Sequence, residues 1–211
     1  MHSSSSTNAE VLLSQALAGS GECFGRLLHV YRNYLKLLVV SQLERKLASR
    51  ISPSDVVQET FLEANRDFAN FRGSSSAEFG AWLRRILVNN LYRVVEQHVL
   101  TEKRDVRREI SLEALANNLE QSTARLDTIL PDPGSTPSRS AERQELEIEL
   151  ADQLANLPTD YRYVIVLRHI EALPFEKVGR RLGRSTGAAR MLWLRAIELL
   201  RKRMNVRGQD D

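Results

Sequence analysis

The chain has 211 residues, 42% of them hydrophobic and 27% charged, and a formal net charge of +3. That is enough apolar mass for one helical domain or two small ones, and too little for most multidomain enzymes. Its single cysteine, Cys23, excludes an intramolecular disulfide or a zinc site built from several thiolates, and fits a reducing cytoplasm.

The first residues, MHSSSSTNAE, are polar and lack the apolar core of a secretion signal. No apolar run approaches the roughly 20 residues that a membrane span needs, so the expectation is a cytoplasmic protein without membrane insertion. Val11 to Leu17 and Phe24 to Leu47 carry apolar residues at helical spacing, with Gly19 to Gly21 as the break between two helices. In SPSDVVQETFLEANRDF, Ser52 or Ser54 can cap, Pro53 suits a first turn, and Asp55 and Glu59 lie near the positive end of the helix dipole. A third helix is predicted over residues 54–70. After the loop FRGSSSAE, the segment EFGAWLRRILVNNLYRVVEQH predicts a fourth. Phe79, Trp82, Leu83, Ile86, Leu87, Leu91 and Val94 form its packing stripe, and Arg85, Asn89 and Arg93 form a basic and amide outer face.

From Glu109 to Asp152 there are ten acids against three bases, and PDPGSTPSRS is dense in Pro, Gly and Ser. This reads as a linker with one weak helix around Ser111 to Ile129, and the acidic run Glu142 to Asp152 reads as a solvated helix face. From Pro158 to Arg207 the balance reverses to twelve Lys and Arg against four acids. No segment of strand period and no internal repeat is evident. The expected fold class is all-α: two small helical domains, residues 1–100 and 141–207, joined by a flexible linker over 101–140.

The basic segment contains FEKVGRRLGRSTGAARMLWLRAIELLRKRM. Phe175, Val178 and Leu182 face inward, Gly179 permits a close helix approach, Gly183 supplies a positive φ, and Ser185 caps the next helix. In that second helix Ala189, Leu192, Trp193, Ala196 and Leu199 or Leu200 form the packing stripe, leaving Arg190, Arg195, Arg201 and Lys202 to project elsewhere. Helix, glycine turn and helix make a helix-turn-helix pattern, read either as an amphipathic hairpin with a solvated basic face or as a reader of the DNA major groove.

With these motifs in order, the chain resembles the bacterial RNA polymerase sigma factors of the extracytoplasmic-function type. DVVQETFLEA is similar to the family segment that binds the clamp helices of the polymerase's largest subunit. FRGSSSAEFGAWLRRILVNN is similar to the segment that melts and reads the upstream −10 element. LPTDYRYVIVLRHIEALPFEKVGRRLGRSTGAARMLWLRAIELLRK is similar to the region that reads the −35 element. The resemblance covers most of the chain and implies two conserved helical domains, promoter-directed initiation and no cofactor. It assigns polymerase binding to Asp55, Gln58, Glu59, Phe61 and Leu62. It assigns the −10 element to Arg72, Trp82, Arg85, Asn89, Asn90 and Arg93, with Trp82 acting from the packing stripe. It assigns the −35 element to Arg184, Ser185, Thr186, Gly187, Arg190 and Arg195. The implied partners are core RNA polymerase, through its β′ clamp helices and β flap, promoter DNA, and an anti-sigma factor. Three features depart from the family pattern: a longer loop from Gly73 to Glu78, Leu192 where a basic residue is common, and the long acidic linker.

Two other readings compete. A free-standing helix-turn-helix regulator would leave DVVQETFLEA and the Trp82 to Arg93 face without a purpose. An all-helical enzyme would need paired carboxylates, and Asp55 with Glu59 or Glu145 with Glu149 have the i, i+4 spacing. Yet His2, His29, His98 and His169 complete no metal motif, and there is no phosphate loop or nucleophile motif, so no enzymatic activity is expected. Cys23 is expected to be a buried small hydrophobe, and His169 a packed or surface histidine and not a ligand. The acidic linker suggests a shield for the basic C-terminal helices before polymerase binds.

Overall fold

A computed structural model gives the structure of residues 6–43, 50–101, 111–126, 129 and 140–207, and every regular element among them is helical. Helix α1 (Ser6–Leu17) stops at Gly19, whose φ of 99° suits glycine alone, and Ser20 then caps α2 by accepting the Cys23 amide at 3.3 Å. Helix α2 (Gly21–Gln42) is the axis of the molecule. The predicted stripe of Phe24, Leu27, Leu28, Tyr31, Leu35 and Leu38 is buried along it, while the predicted extension to Leu47 lies outside the described residues.

Helix α3 (Pro53–Asp67) begins as its sequence requires, with Ser52 Oγ accepting the Asp55 amide at 3.3 Å and proline in the first turn. Its last predicted turn tightens into a 3₁₀ turn, Phe68–Asn70, which aims Phe68 at Phe24, centroid to centroid 4.1 Å. Helix α4 (Ser76–Thr101) buries Phe79, Leu83, Leu87 and Leu91 completely, with Trp82 and Val94 half-buried and Val95 taking the inner position. Tyr31 donates to the Ser76 carbonyl at 2.7 Å, tying α2 to the start of α4, and burial pushes its phenol far above the ordinary range.

Helix α5 (Leu112–Leu126) forms inside the segment read as a linker and lies on α2 and α4 through Leu115, Leu119 and Leu126. The rest of the Pro/Gly/Ser-rich segment lies outside the described residues. Helix α6 (Ser140–Ala155) corrects one expectation, because its acidic run is not a solvated face. Gln144, Glu147, Ile148, Ala151 and Leu154 make a buried i, i+3, i+4 stripe against α1, α2 and α4, which the count of acids concealed.

Helix α7 (Thr159–Ile165) runs into a π-helical turn, Val166–Ile170. That turn closes when the Glu171 amide reaches the Val166 carbonyl at 2.9 Å, and Ala172, at φ 52°, redirects the chain. Helices α8 (Phe175–Leu182) and α9 (Thr186–Arg207) complete the chain and pack on each other and on α7.

Candidate polymerase and promoter interfaces

The α3 helix turns Val56, Val57, Thr60 and Ala64 inward and presents Asp55, Gln58, Glu59 and Leu62 to solvent. Thr60 satisfies its hydroxyl on the Val56 carbonyl at 2.8 Å, so the buried face carries no loose polar group. Leu62 is 53% exposed and Phe61 half-buried beside it. An acidic and amide surface with an apolar centre suits a partner helix that is basic and partly apolar.

The serine-rich loop before α4 is built as a helix start. Glu78 Oε2 accepts the Ser74 and Ser75 amides at 2.8 and 3.1 Å, and the Glu78 amide returns to Ser75 Oγ at 3.3 Å, a reciprocal capping box. The Ser74 amide, followed by the Ser75 hydroxyl and amide, holds the Glu78 carboxyl below its ordinary range. Glu10 anchors the same loop by accepting the Ser76 amide at 2.8 Å. Behind it stands an aromatic layer in which Trp82 lies 5.2 Å from Phe71 and 5.5 Å from Phe79. Trp82 thus belongs to the packing layer and keeps one exposed edge.

Arg72 and Arg85 are exposed near this layer, and Asn89 is half-buried between turns of α4. Arg93 bridges to Glu63 of α3 at 3.3 Å, which fixes its guanidinium at the seam of the two helices. Asn90 requires a correction: it is 2% exposed and cannot reach DNA in this conformation. Position 90 rotates inward from Asn89 by about 100° of helix. Its Oδ1 accepts from Arg93 at 3.2 Å, whereas its buried Nδ2 has no hydrogen-bond partner among the described residues.

The C-terminal helix-turn-helix follows from two glycines. Gly183 adopts φ 66°, and the Arg184 amide reaches back to the Gly179 carbonyl at 2.9 Å, a left-handed helix end. A Cβ at Gly179 would meet the Arg184 carbonyl oxygen at 2.7 Å, so the tight turn needs glycine there for space. Ser185 caps α9 by accepting the Ala188 amide at 3.2 Å. With Ala189 and Ala196 buried, α9 lies close on its supports and leaves Arg184, Ser185, Thr186, Gly187, Arg190 and Arg195 exposed along one end and side.

These cations are held differently. Arg184 pairs with Asp160 at 2.6 Å, Arg190 lies 5.4 Å over the Phe175 ring, and Arg195 is exposed. Trp193 donates from Nε1 to His169 Nε2 at 2.9 Å, so the reader's aromatic edge needs a neutral imidazole. Burial, with the Arg168 charge second, holds the His169 pKa below its ordinary value. Cys23 is half-buried and donates to Gln15 Oε1 at 3.0 Å. Among the described residues no cluster of three His, Cys, Asp or Glu side chains could hold a metal, and no helix is long and apolar enough to cross a membrane.

Sequence reasoning missed Glu63 and Arg84. Glu63 steers Arg93. Arg84 bonds Tyr34 at 2.7 Å and Gln144 at 3.0 Å, partners 50 and 60 residues away that no local spacing could supply.

An acidic-apolar helix, an aromatic-backed basic helix and a glycine-turned helix pair define an all-helical protein with a helix-turn-helix unit. Residues 30–101 match the Sigma-70 region 2 family and residues 153–202 match Sigma-70, region 4. The chain is 31% identical to the ECF RNA polymerase sigma-E factor of Haemophilus influenzae over 93% of this chain and 97% of that one. It is 29% identical to the RNA polymerase sigma-H factor of Pseudomonas aeruginosa over 90% and 91% of the two chains. It also aligns with CnrH, solved in complex with the cytosolic domain of CnrY, over 94% of this chain and 98% of that one, at 22% identity and a TM-score of 0.32. The chain belongs to the extracytoplasmic-function sigma factors of the sigma-70 family. It is a promoter-specific initiation factor whose partners are core RNA polymerase and promoter DNA.

Proposed function

We propose that the chain docks on core polymerase through Asp55, Gln58, Glu59, Phe61 and Leu62, with the β′ clamp helices as the partner helix. The exposed Leu62 within an acidic and amide face supports this placement. Arg72, Arg85, Asn89 and Arg93 then take the phosphates and an extruded base of the −10 element, with Trp82 supporting them from the aromatic layer. Unstacking a base costs a few kcal/mol, which a bound single-stranded base can offset. Arg184, Ser185, Thr186, Gly187, Arg190 and Arg195 meet the −35 element, where an arginine can donate two hydrogen bonds to one guanine edge. The β flap is the second polymerase contact, made by the C-terminal unit.

The protein itself performs no covalent step in this reading and acts in the cytoplasm, where polymerase and chromosome meet. Family resemblance also implies an anti-sigma partner, to which the exposed faces of α3 and α9 are open. The observation that carries the reading is the presence, in one chain, of an exposed acidic-apolar helix and a glycine-turned helix with exposed arginines.

The test mixes the purified protein with core polymerase and genomic promoter fragments. Expected are a complex that co-elutes on sizing and transcripts from a distinct promoter set. A protein that binds DNA but neither joins core nor yields transcripts would instead be a free-standing regulator.

A further inference from the structure

The side of α9 that points away from its supports is not made of arginine alone. At about 100° per residue, Gly187, Met191, Leu194, Arg195 and Glu198 fall opposite the buried Ala189, Ala196 and Leu200. Met191 is 52% exposed and Leu194 47% exposed. Among the described residues they are the only two exposed large hydrophobic side chains within one turn of each other. Single exposed apolar residues are ordinary, but a pair on one face makes a surface that gains by leaving water.

The surroundings of the pair say what can cover it. Arg190 stands next to Met191 and Arg195 next to Leu194, with Arg184 exposed just before the helix and Lys202 exposed further along it. An apolar protein surface would leave these cations without partners. A DNA duplex instead offers phosphates to the cations and, in the major groove, the C5-methyl group of thymine to the apolar pair. A Cβ at Gly187 would meet nothing within 4 Å, so packing within the protein does not require glycine there. Its bare backbone, one turn before Met191, leaves room for an outside surface to come close. Met191 and Leu194 are three residues apart, about 4.5 Å along the helix axis, against about 3.4 Å for one base-pair step. Each can therefore face its own base pair. Glu198, a turn beyond Leu194, sets a negative charge against phosphate and ends the strip.

We propose that Met191 and Leu194 are specificity-determining residues of the −35 contact, and that they read thymine methyl groups at two neighbouring base pairs beside the guanines open to Arg190 and Arg195. The inference rests on the reading of α9 as the groove helix. Hydrogen bonds from the arginines select guanine, and the apolar pair adds a preference for thymine that no hydrogen bond supplies. Burying one methyl-sized group corresponds to an about four-fold gain in affinity. Methionine, unbranched and polarisable, can follow a methyl group whose position shifts with local duplex shape.

The test uses the full-length protein with core polymerase. Promoter duplexes with a randomised −35 element are selected for binding, and each thymine of the enriched sequence is then replaced by uracil, which deletes only the C5-methyl group. Wild type should lose affinity about four-fold at two neighbouring thymines and little at the others. Met191→Ala should abolish the uracil penalty at one of the two and Leu194→Ala at the other. Both side chains are exposed, so neither substitution should lower the melting temperature. Wild type that is indifferent to every uracil overturns the proposal, as does a penalty that persists unchanged in both variants. Indifference together with weaker core binding by Met191→Ala would assign the apolar pair to a protein contact instead. Holoenzyme that enriches no −35 sequence refutes the reading of α9 and the proposal with it, whereas indifference to uracil within an enriched sequence refutes the proposal alone.

Discussion

The N-terminal unit is built around large rings and the C-terminal unit around aliphatic and small side chains. Tyr31, Tyr34 and Phe79 are completely buried in the first, and Phe79 contacts Phe24, Tyr31, Phe68, Phe71 and Trp82 with centroids 5.3 to 6.3 Å away. In the second the fully buried side chains are Val164 and Ile165 of α7, Val178 of α8, and Ala189 and Ala196 of α9, while Phe175 and Trp193 stay half-buried. In the proposed function α4 binds single-stranded bases above the aromatic layer, whose rings in edge-to-face contact make a stiff backing, and α9 offers the groove its exposed, arginine-bearing face.

The contrast breaks most visibly at its centre. Phe79→Ala should cost about 3–5 kcal/mol, the range for deleting a buried aromatic ring. Thermal melting followed by Trp82 emission should show early loss of the N-terminal unit, and a loss under about 1 kcal/mol would mean the layer is not the support described. The matching break in the reader is steric. Gly179→Val drives a branched side chain into the Arg184 carbonyl, a backbone atom that cannot swing aside, and should cost about 1–3 kcal/mol. Its melting should shift through the C-terminal unit and −35 binding should fall with it, while Val178→Ile, a neighbouring apolar change, should spare the turn.

The two units also differed in how far their sequences could be read. The reader was legible because its chemistry is local: Gly183 ends one helix, Ser185 starts the next, and both roles depend on near neighbours in the chain. The α4 stripe was legible for the same reason, apart from Val95 in place of Val94 and the inward turn of Asn90. Helix α6 was not, because ten acids in the surrounding segment outweighed a stripe whose partners are Arg84, Tyr34 and Asn33, distant in sequence. Nor was the π-helical turn, which a backbone bond from the Glu171 amide to the Val166 carbonyl closes without any side-chain signal.

Within the reader the comparison sharpens to single cations. Arg190 rests over Phe175 and can swing to a base edge, whereas Lys202 is an exposed point charge further along α9. Arg190→Ala should cost about 1–3 kcal/mol on the preferred −35 sequence and relax discrimination at one base pair. Lys202→Ala should weaken all sequences evenly and lower the salt dependence by about one phosphate. Affinities across a set of single-base −35 variants decide it. Equal loss of discrimination from both substitutions would place the recognition face elsewhere on α9.

The smallest effect tests the reader's aromatic edge. In the folded protein His169 is neutral and accepts from Trp193, and its pKa lies below the unfolded value. Between those two values the unfolded chain binds more protons, so stability is full above about pH 6.5 and is lost as pH falls through the folded pKa. Glu147 and Glu171 shift upward, each chiefly through burial, and so work in the opposite direction, which makes the difference between two proteins the useful quantity. Gln at position 169 can still accept a hydrogen bond but does not titrate. Between about pH 7.5 and 5.5 the wild type should therefore lose stability relative to His169→Gln, by about 1 kcal/mol or less for one partly buried hydrogen bond. The loss should accompany a change in Trp193 emission, because protonation removes the acceptor that holds the indole. Parallel pH curves for the two proteins would mean that the stacked pair, 5.8 Å between centroids, is held by packing alone.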